Sequence, residues 1–123
     1  MPAPSAFADH VTPPLPADDE VFDLAARTFR VMSAPMRLKI ISALCQGEKS
    51  VTQLLEAVQT TQPNMSQHLA SLFRAGVVGK RREGVMIHYR ITDERVVSLC
   101  RTLCQHLSDR EKMDVSKTPR RGA

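Results

Sequence analysis

Apolar positions recur at helical spacing in five runs of this chain, and a capping or breaking residue interrupts the pattern at each join. In the first run Val21, Phe22, Ala25, Phe29 and Met32 make one side, behind a cap at Asp18 or Asp19. Ser33-Ala34-Pro35 breaks it, and Pro35 opens a second helix, because a missing N–H costs nothing in a first turn. There Leu38, Ile41, Leu44 and Cys45 share a face, and Gly47 ends the run. Ser50, with Gln53 three residues on, is a capping box that starts a third helix carrying Val51, Leu54, Leu55 and Val58. The fourth begins near Thr61 to Pro63, buries Met65, Leu69, Leu72 and Phe73, and closes at Gly76. The fifth, capped by Thr92 with Asp93 and Glu94 in its first turn, has a stripe of Val96, Leu99, Cys100, Leu103, Cys104 and Leu107.

Between the fourth and fifth helices, VVGKRR and VMIHYRI read as two strands joined by a basic turn from Lys80 to Gly84. The order helix, helix, helix, helix, strand, strand, helix predicts a mainly α (α+β) winged helix-turn-helix: helices three and four with the short Thr60-Thr61 turn, and the hairpin as wing. This domain spans residues 18–112. Residues 1–17, with five of the eight prolines, read as a flexible tail, and residues 113–123 as a flexible basic one.

Opposite the buried stripe of the fourth helix lie Gln62, Asn64, Ser66, Gln67, His68 and Ser71. Asn, Gln and Ser side chains can hydrogen-bond base edges in a major groove, and Arg81 and Arg82 on the wing suit phosphates. The fifth helix has more apolar surface than so small a domain can bury alone. With the first helix it predicts a two-fold homodimer, whose two reading helices would meet successive major grooves of a near-palindromic operator, about 34–36 Å apart.

Composition adds bounds. The 123 residues suffice for one modest core, and the net charge of +4 fits a polyanionic partner, here double-stranded DNA. No apolar run approaches membrane-spanning length and the N-terminus lacks a signal pattern, so a cytoplasmic protein is expected. No nucleophile–base constellation, phosphate loop or HExxH motif points to an enzyme, and no cofactor is implied. The three cysteines cannot all form disulfides within one chain; in a reducing compartment they are free thiols, serving as buried filler or as a chemical sensor. An interaction module with inert cysteines is the reading from another class. The QPNMSQH surface, polar and without aromatic anchors, speaks against a protein-binding hot spot.

The motifs MSAPMRLKIISAL, SVTQLLEAV, QPNMSQHLASLFRAGVV and KRREGVMIHYRI resemble those of the ArsR/SmtB family of winged-helix repressors, over Phe29 to Asp109. The overall likeness is greatest to the BigR/SqrR sulfide- and persulfide-sensing branch. The resemblance implies a homodimeric repressor that leaves its operator when an inducer modifies it. Gln62, Asn64, Ser66, Gln67 and His68 would then meet DNA, with Arg81 and Arg82 on the wing. The arsenic-sensing Cys-x-Cys pattern falls on Ser50 and Thr52 and is absent. The zinc pattern falls on Asp93, Arg95, His106 and Asp109, where Arg95 puts a fixed positive charge at a ligand position; Asp93, His106 and Asp109 remain as weak metal candidates. The sulfur-sensing branch's two cysteines fall on Ser42 and Ser108. Cys45 lies three residues after the first position and Cys104 four before the second, so if the two helices pack antiparallel the pair stays opposed. That implies a Cys45–Cys104 cross-link in response to a reactive sulfur species or oxidant, with Cys100 able to replace Cys104 or add a third sulfur. The alternative inducer is arsenite or a soft metal held by Cys45, Cys100 and Cys104.

Overall fold

The computed structural model describes residues 11–117, and the N-terminal part of the tail predicted over 1–17 lies outside them. Helix α1 is Asp19–Met32 and α2 is Pro35–Leu44. Strand β1 (Lys49–Ser50) follows, then α3 (Val51–Ala57), α4 (Gln62–Arg74), strands β2 (Val78–Glu83) and β3 (Met86–Ile91), and α5 (Glu94–Lys117). The five predicted helices and the wing are all present.

Local chemistry sets most of the ends. Asp18 caps α1 by accepting from the Val21 amide at 3.0 Å, with Asp19 and Glu20 at the positive end of the helix dipole and Arg30 at the negative end. Thr61 caps α4 by accepting from the Asn64 amide. Gly76, at φ +77°, closes α4: the Val77 amide bonds the Leu72 carbonyl and the Gly76 amide that of Phe73. The capping box at α3 is complete, with Gln53 N donating to Ser50 Oγ at 3.1 Å and Ser50 N to Gln53 Oε1 at 2.8 Å. Because Ser50 is also buried, Ser50→Ala is expected to cost about 1 kcal/mol, a fall in Tm of roughly 4–8 °C in a thermal melt, while Ser50→Thr retains most of it.

Four expectations are corrected. A third strand, β1, precedes α3 and pairs antiparallel with β3, giving the order β1-β3-β2 with Lys49 opposite Tyr89. The basic residues are not the turn: Lys80 to Glu83 belong to β2, Glu83 faces Met86 across the ladder, and Gly84, at φ +63°, supplies the reversal. Asp93 rather than Thr92 caps the last helix, accepting from the Val96 amide at 3.1 Å, while Thr92 Oγ1 donates to the Gly76 carbonyl. The helix itself runs on to Lys117, so 113–117 are not a coil; 118–123 lie outside the described residues.

The core is formed by Ile40, Leu54, Met65, Leu69, Leu72, Val77 and Val78, all fully buried. Phe73 departs from its predicted place, being 42% exposed with the Lys80 ammonium 4.6 Å from its ring centroid. The apolar sides of α1 and α5 are largely open in the single chain: Val21, Phe22, Phe29, Leu99, Leu103 and Leu107 are exposed, and among the described residues of these helices only Met32 and Val97 are buried. Among the described residues no helix is long and apolar enough to cross a membrane.

Candidate nucleic-acid interface and thiol groove

The buried stripe of α4 turns its opposite side to solvent, and Gln62, Asn64, Ser66 and Gln67 are exposed there. Asn64 donates from Nδ2 to Thr60 Oγ1 at 2.9 Å, which leaves its Oδ1 free to accept. His68 is half-buried and held from behind. Arg37 of α2 donates from Nε to His68 Nδ1 at 3.1 Å, from Nη2 to Ser71 Oγ at 3.2 Å and from Nη1 to the Val31 carbonyl at 3.0 Å. One guanidinium thus ties the reading helix to the end of α1. No sequence pattern signals this clamp, because its partners lie 31 and 34 residues away.

On the wing, strand alternation separates the two predicted arginines. Arg81 faces Glu48, with Nε 2.7 Å and Nη2 2.6 Å from Oε1, and its Nη1 is 2.9 Å from Glu83 Oε2. The hydrogen bond from Arg81 holds the Glu48 carboxyl below its usual range, and the same bond raises the guanidinium. Arg82 points the other way with Lys80, toward the side where Lys80 meets Phe73 of α4, and makes no ion pair among the described residues. Lys80 and Arg82 are therefore the cations on the α4 side of the wing. Arg81 has its charge answered within the chain, and Lys80 is a functional candidate that the spacing of residues alone does not single out.

All three cysteines line one groove of about 360 Å³ between α2 and α5, together with Ser42 and Ser108. They are free thiols; Cys45 and Cys104 are exposed and Cys100 is half-buried. Cys45 departs from its expected place in the apolar face of α2: the helix ends at Leu44, and Cys45 is the residue that caps it. Arg101 reaches across from α5 to place Nη2 3.6 Å from Cys45 Sγ. Burial, and then the neighbouring Cys104, pushes the Cys100 thiol above its ordinary range. Among the described residues no three His, Cys, Asp or Glu side chains converge to hold a metal ion. Asp93 is engaged at its cap and Asp109 accepts from Gln105 Nε2 at 3.0 Å, while His106, thirteen residues beyond Asp93, lies roughly 20 Å further along the helix. The weak metal candidates do not meet within one chain.

Residues 34–80 match the family described as "Bacterial regulatory protein, arsR family". The chain is 33% identical over 103 residues to the HTH-type transcriptional repressor SmtB of Mycobacterium tuberculosis, covering 84% of this chain and 76% of that protein. Its fold is similar to that of the transcriptional repressor BigR from Xylella fastidiosa, with TM-score 0.64 and 32% identity over 69% of this chain and 87% of that one. It is similar as well to the homodimeric winged helix-turn-helix DNA-binding domain of a possible ArsR-family regulator from Mycobacterium bovis, with TM-score 0.65 and 30% identity over 80% of this chain and 91% of that one. The capped helix-turn-helix, the three-stranded wing and these likenesses together make the chain a member of the arsR family of bacterial transcriptional regulators.

Proposed function

We propose that the chain works as a homodimeric, DNA-binding repressor released from its operator by thiol chemistry. The observation that carries the sensing half is the common groove: three thiols and one guanidinium drawn from α2 and α5. In the DNA-bound form Gln62, Asn64, Ser66, Gln67 and His68 of α4 face the major groove, and Arg82 with Lys80 meets the backbone beside it. Arg81 contributes by holding the wing to Glu48 rather than by a free charge. Gln67→Ala is expected to weaken binding by about 1–3 kcal/mol on the selected sequence and little on random DNA. Arg82→Gln should weaken both equally and lower the salt slope by about 1 for each phosphate it no longer neutralises. Anisotropy titrations at several salt concentrations read both effects.

The chemistry is a two-step exchange. The Cys45 thiolate, exposed and beside Arg101, attacks a sulfane sulfur of hydrogen disulfide; the S–S bond breaks and hydrosulfide leaves with the electron pair. The Cys104 thiolate then attacks the Cys45 sulfur of the resulting persulfide, expelling a second hydrosulfide and leaving a Cys45–Cys104 disulfide. Two thiolates are oxidised while the disulfane is reduced to two hydrosulfides. Cys100, half-buried and kept protonated to higher pH, stays out of the exchange at neutral pH; with iodoacetamide at neutral pH its labelling should trail that of Cys45 and Cys104 and speed up as pH rises.

A cross-link at Cys45 has short routes to the interface. Three residues on, Glu48 clasps Arg81 of the wing, and α2 itself carries Arg37, which clamps α4. The decisive experiment is titration of operator DNA with untreated and polysulfide-treated protein, with mass spectrometry of the linked peptides. A treated protein that binds as tightly as before rules the reading out.

A further inference from the structure

A second groove, of about 530 Å³, lies between α1 and α4, and four arginines line it: Arg27 and Arg30 from α1, Arg37 from α2 and Arg74 from α4. No carboxylate lines it, and none of the four forms an ion pair among the described residues. Arg37 and Arg74 both direct an Nη2 onto the single hydroxyl of Ser71, at 3.2 and 3.4 Å. Two guanidiniums brought to one hydroxyl repel unless an anion joins them, and planar guanidinium forks match a phosphate better than any other side chain does.

The place of this groove on α4 selects the anion. Asn64, His68, Ser71 and Ala75 succeed one another at intervals of four, three and four residues, so the groove continues the stripe that begins among the base-reading candidates. At about 1.5 Å per residue, Ser71 and Arg74 sit roughly 10–15 Å along the axis from Asn64. A major groove is about 12 Å wide and 8.5 Å deep. A helix with Asn64 and Gln67 against base edges therefore brings Ser71 and Arg74 to the lip of the groove, where the sugar–phosphate chain runs.

We propose that this arginine-lined groove is a phosphate-binding site that grips the operator backbone next to the inserted α4, independently of the wing. The site presupposes that α4 binds DNA, as proposed for the function. It makes α1 a part of the DNA contact as well as of the subunit interface.

The test uses the full chain and a duplex selected by the wild-type protein from a randomised library. The Arg27→Gln/Arg30→Gln variant changes only exposed side chains on α1; circular dichroism and sedimentation equilibrium check its fold and its dimer. The proposal expects the slope of log K against log salt to shrink by about 2 per dimer, one phosphate for each groove. Selected and random duplexes should be weakened by the same factor, and Arg27→Lys/Arg30→Lys should restore the slope. An unchanged slope with a tight wild-type complex overturns the groove and leaves the repressor reading standing; a wild type that binds no duplex overturns both. If the Gln variant falls to monomer, the arginines serve acids of the second subunit, and the proposal fails. It fails too if inorganic pyrophosphate raises the Tm of the wild type, but not of the variant, while the slope stays fixed: the site then belongs to a small free anion.

Discussion

Cys104→Ser protein is expected to hold its operator as tightly after polysulfide treatment as before, whereas the wild type loses at least a hundredfold in affinity. A hundredfold loss corresponds to about 2.7 kcal/mol of binding free energy, a modest demand on a cross-link that joins two helices from opposite walls of one groove. Cys45→Ser should be equally unresponsive, because Cys45 is the attacking thiol of the proposed exchange and the residue that follows the last turn of α2. Cys100→Ser should retain most of the response. The untreated affinities of all three variants serve as the control, since none of these side chains lies on the exposed side of α4. A Cys45→Ser/Cys104→Ser protein that still releases DNA on treatment would remove thiol exchange at these residues from the mechanism, whatever the inducer.

Leu103→Asp is the second large effect. Leu103 is 56% exposed in the single chain, in line with Leu99 and Leu107 on α5, and α1 offers Phe22 and Phe29 in the same open state. Covering such side chains is worth about 1.5–3 kcal/mol each, and an aspartate in their midst must be stripped of water without a partner. The variant is expected to sediment as a monomer. Binding to the operator should fall by a factor on the order of 100 to 10,000, because the second half-site no longer binds as an intramolecular event. Leu103→Met keeps volume and polarity and should keep the dimer. A stable Leu103→Asp dimer with full affinity would mean that the subunits meet elsewhere.

The sequence carried these elements unevenly, and the division has a physical cause. Caps and stops are local: Asp18, the Ser50–Gln53 box, Thr61 and Gly76 act within four residues, so each is readable where it stands. Met65, Leu69 and Leu72 were equally legible, since one face of one helix decides their burial. Phe73 fits the same periodicity yet stays near the surface, because a side chain at the rim of that stripe can instead carry Lys80 from the next strand. What could not be read is what joins distant segments. Strand β1 is two residues long and exists only through pairing with β3; Glu48 meets Arg81 across 33 residues; Arg37 gathers α1 and α4. Lys80 and Arg82 part from Arg81 only once a strand, rather than a turn, is known to contain them. The grouping of the three thiols likewise depends on the packing of α5 against α2.

The Arg37 clamp also limits what His68 can say to a base. A guanidinium has only hydrogens to offer, so the imidazole nitrogen it touches must present a lone pair, and the ring's remaining Nε2 carries the proton. Any nucleotide edge opposite that nitrogen has to be an acceptor: N7 or O6 of guanine, N7 of adenine or O4 of thymine, but never the exocyclic amine of cytosine. Where His68 meets a base as proposed, its choice of an acceptor edge would be set by a single contact made on the far side of the ring.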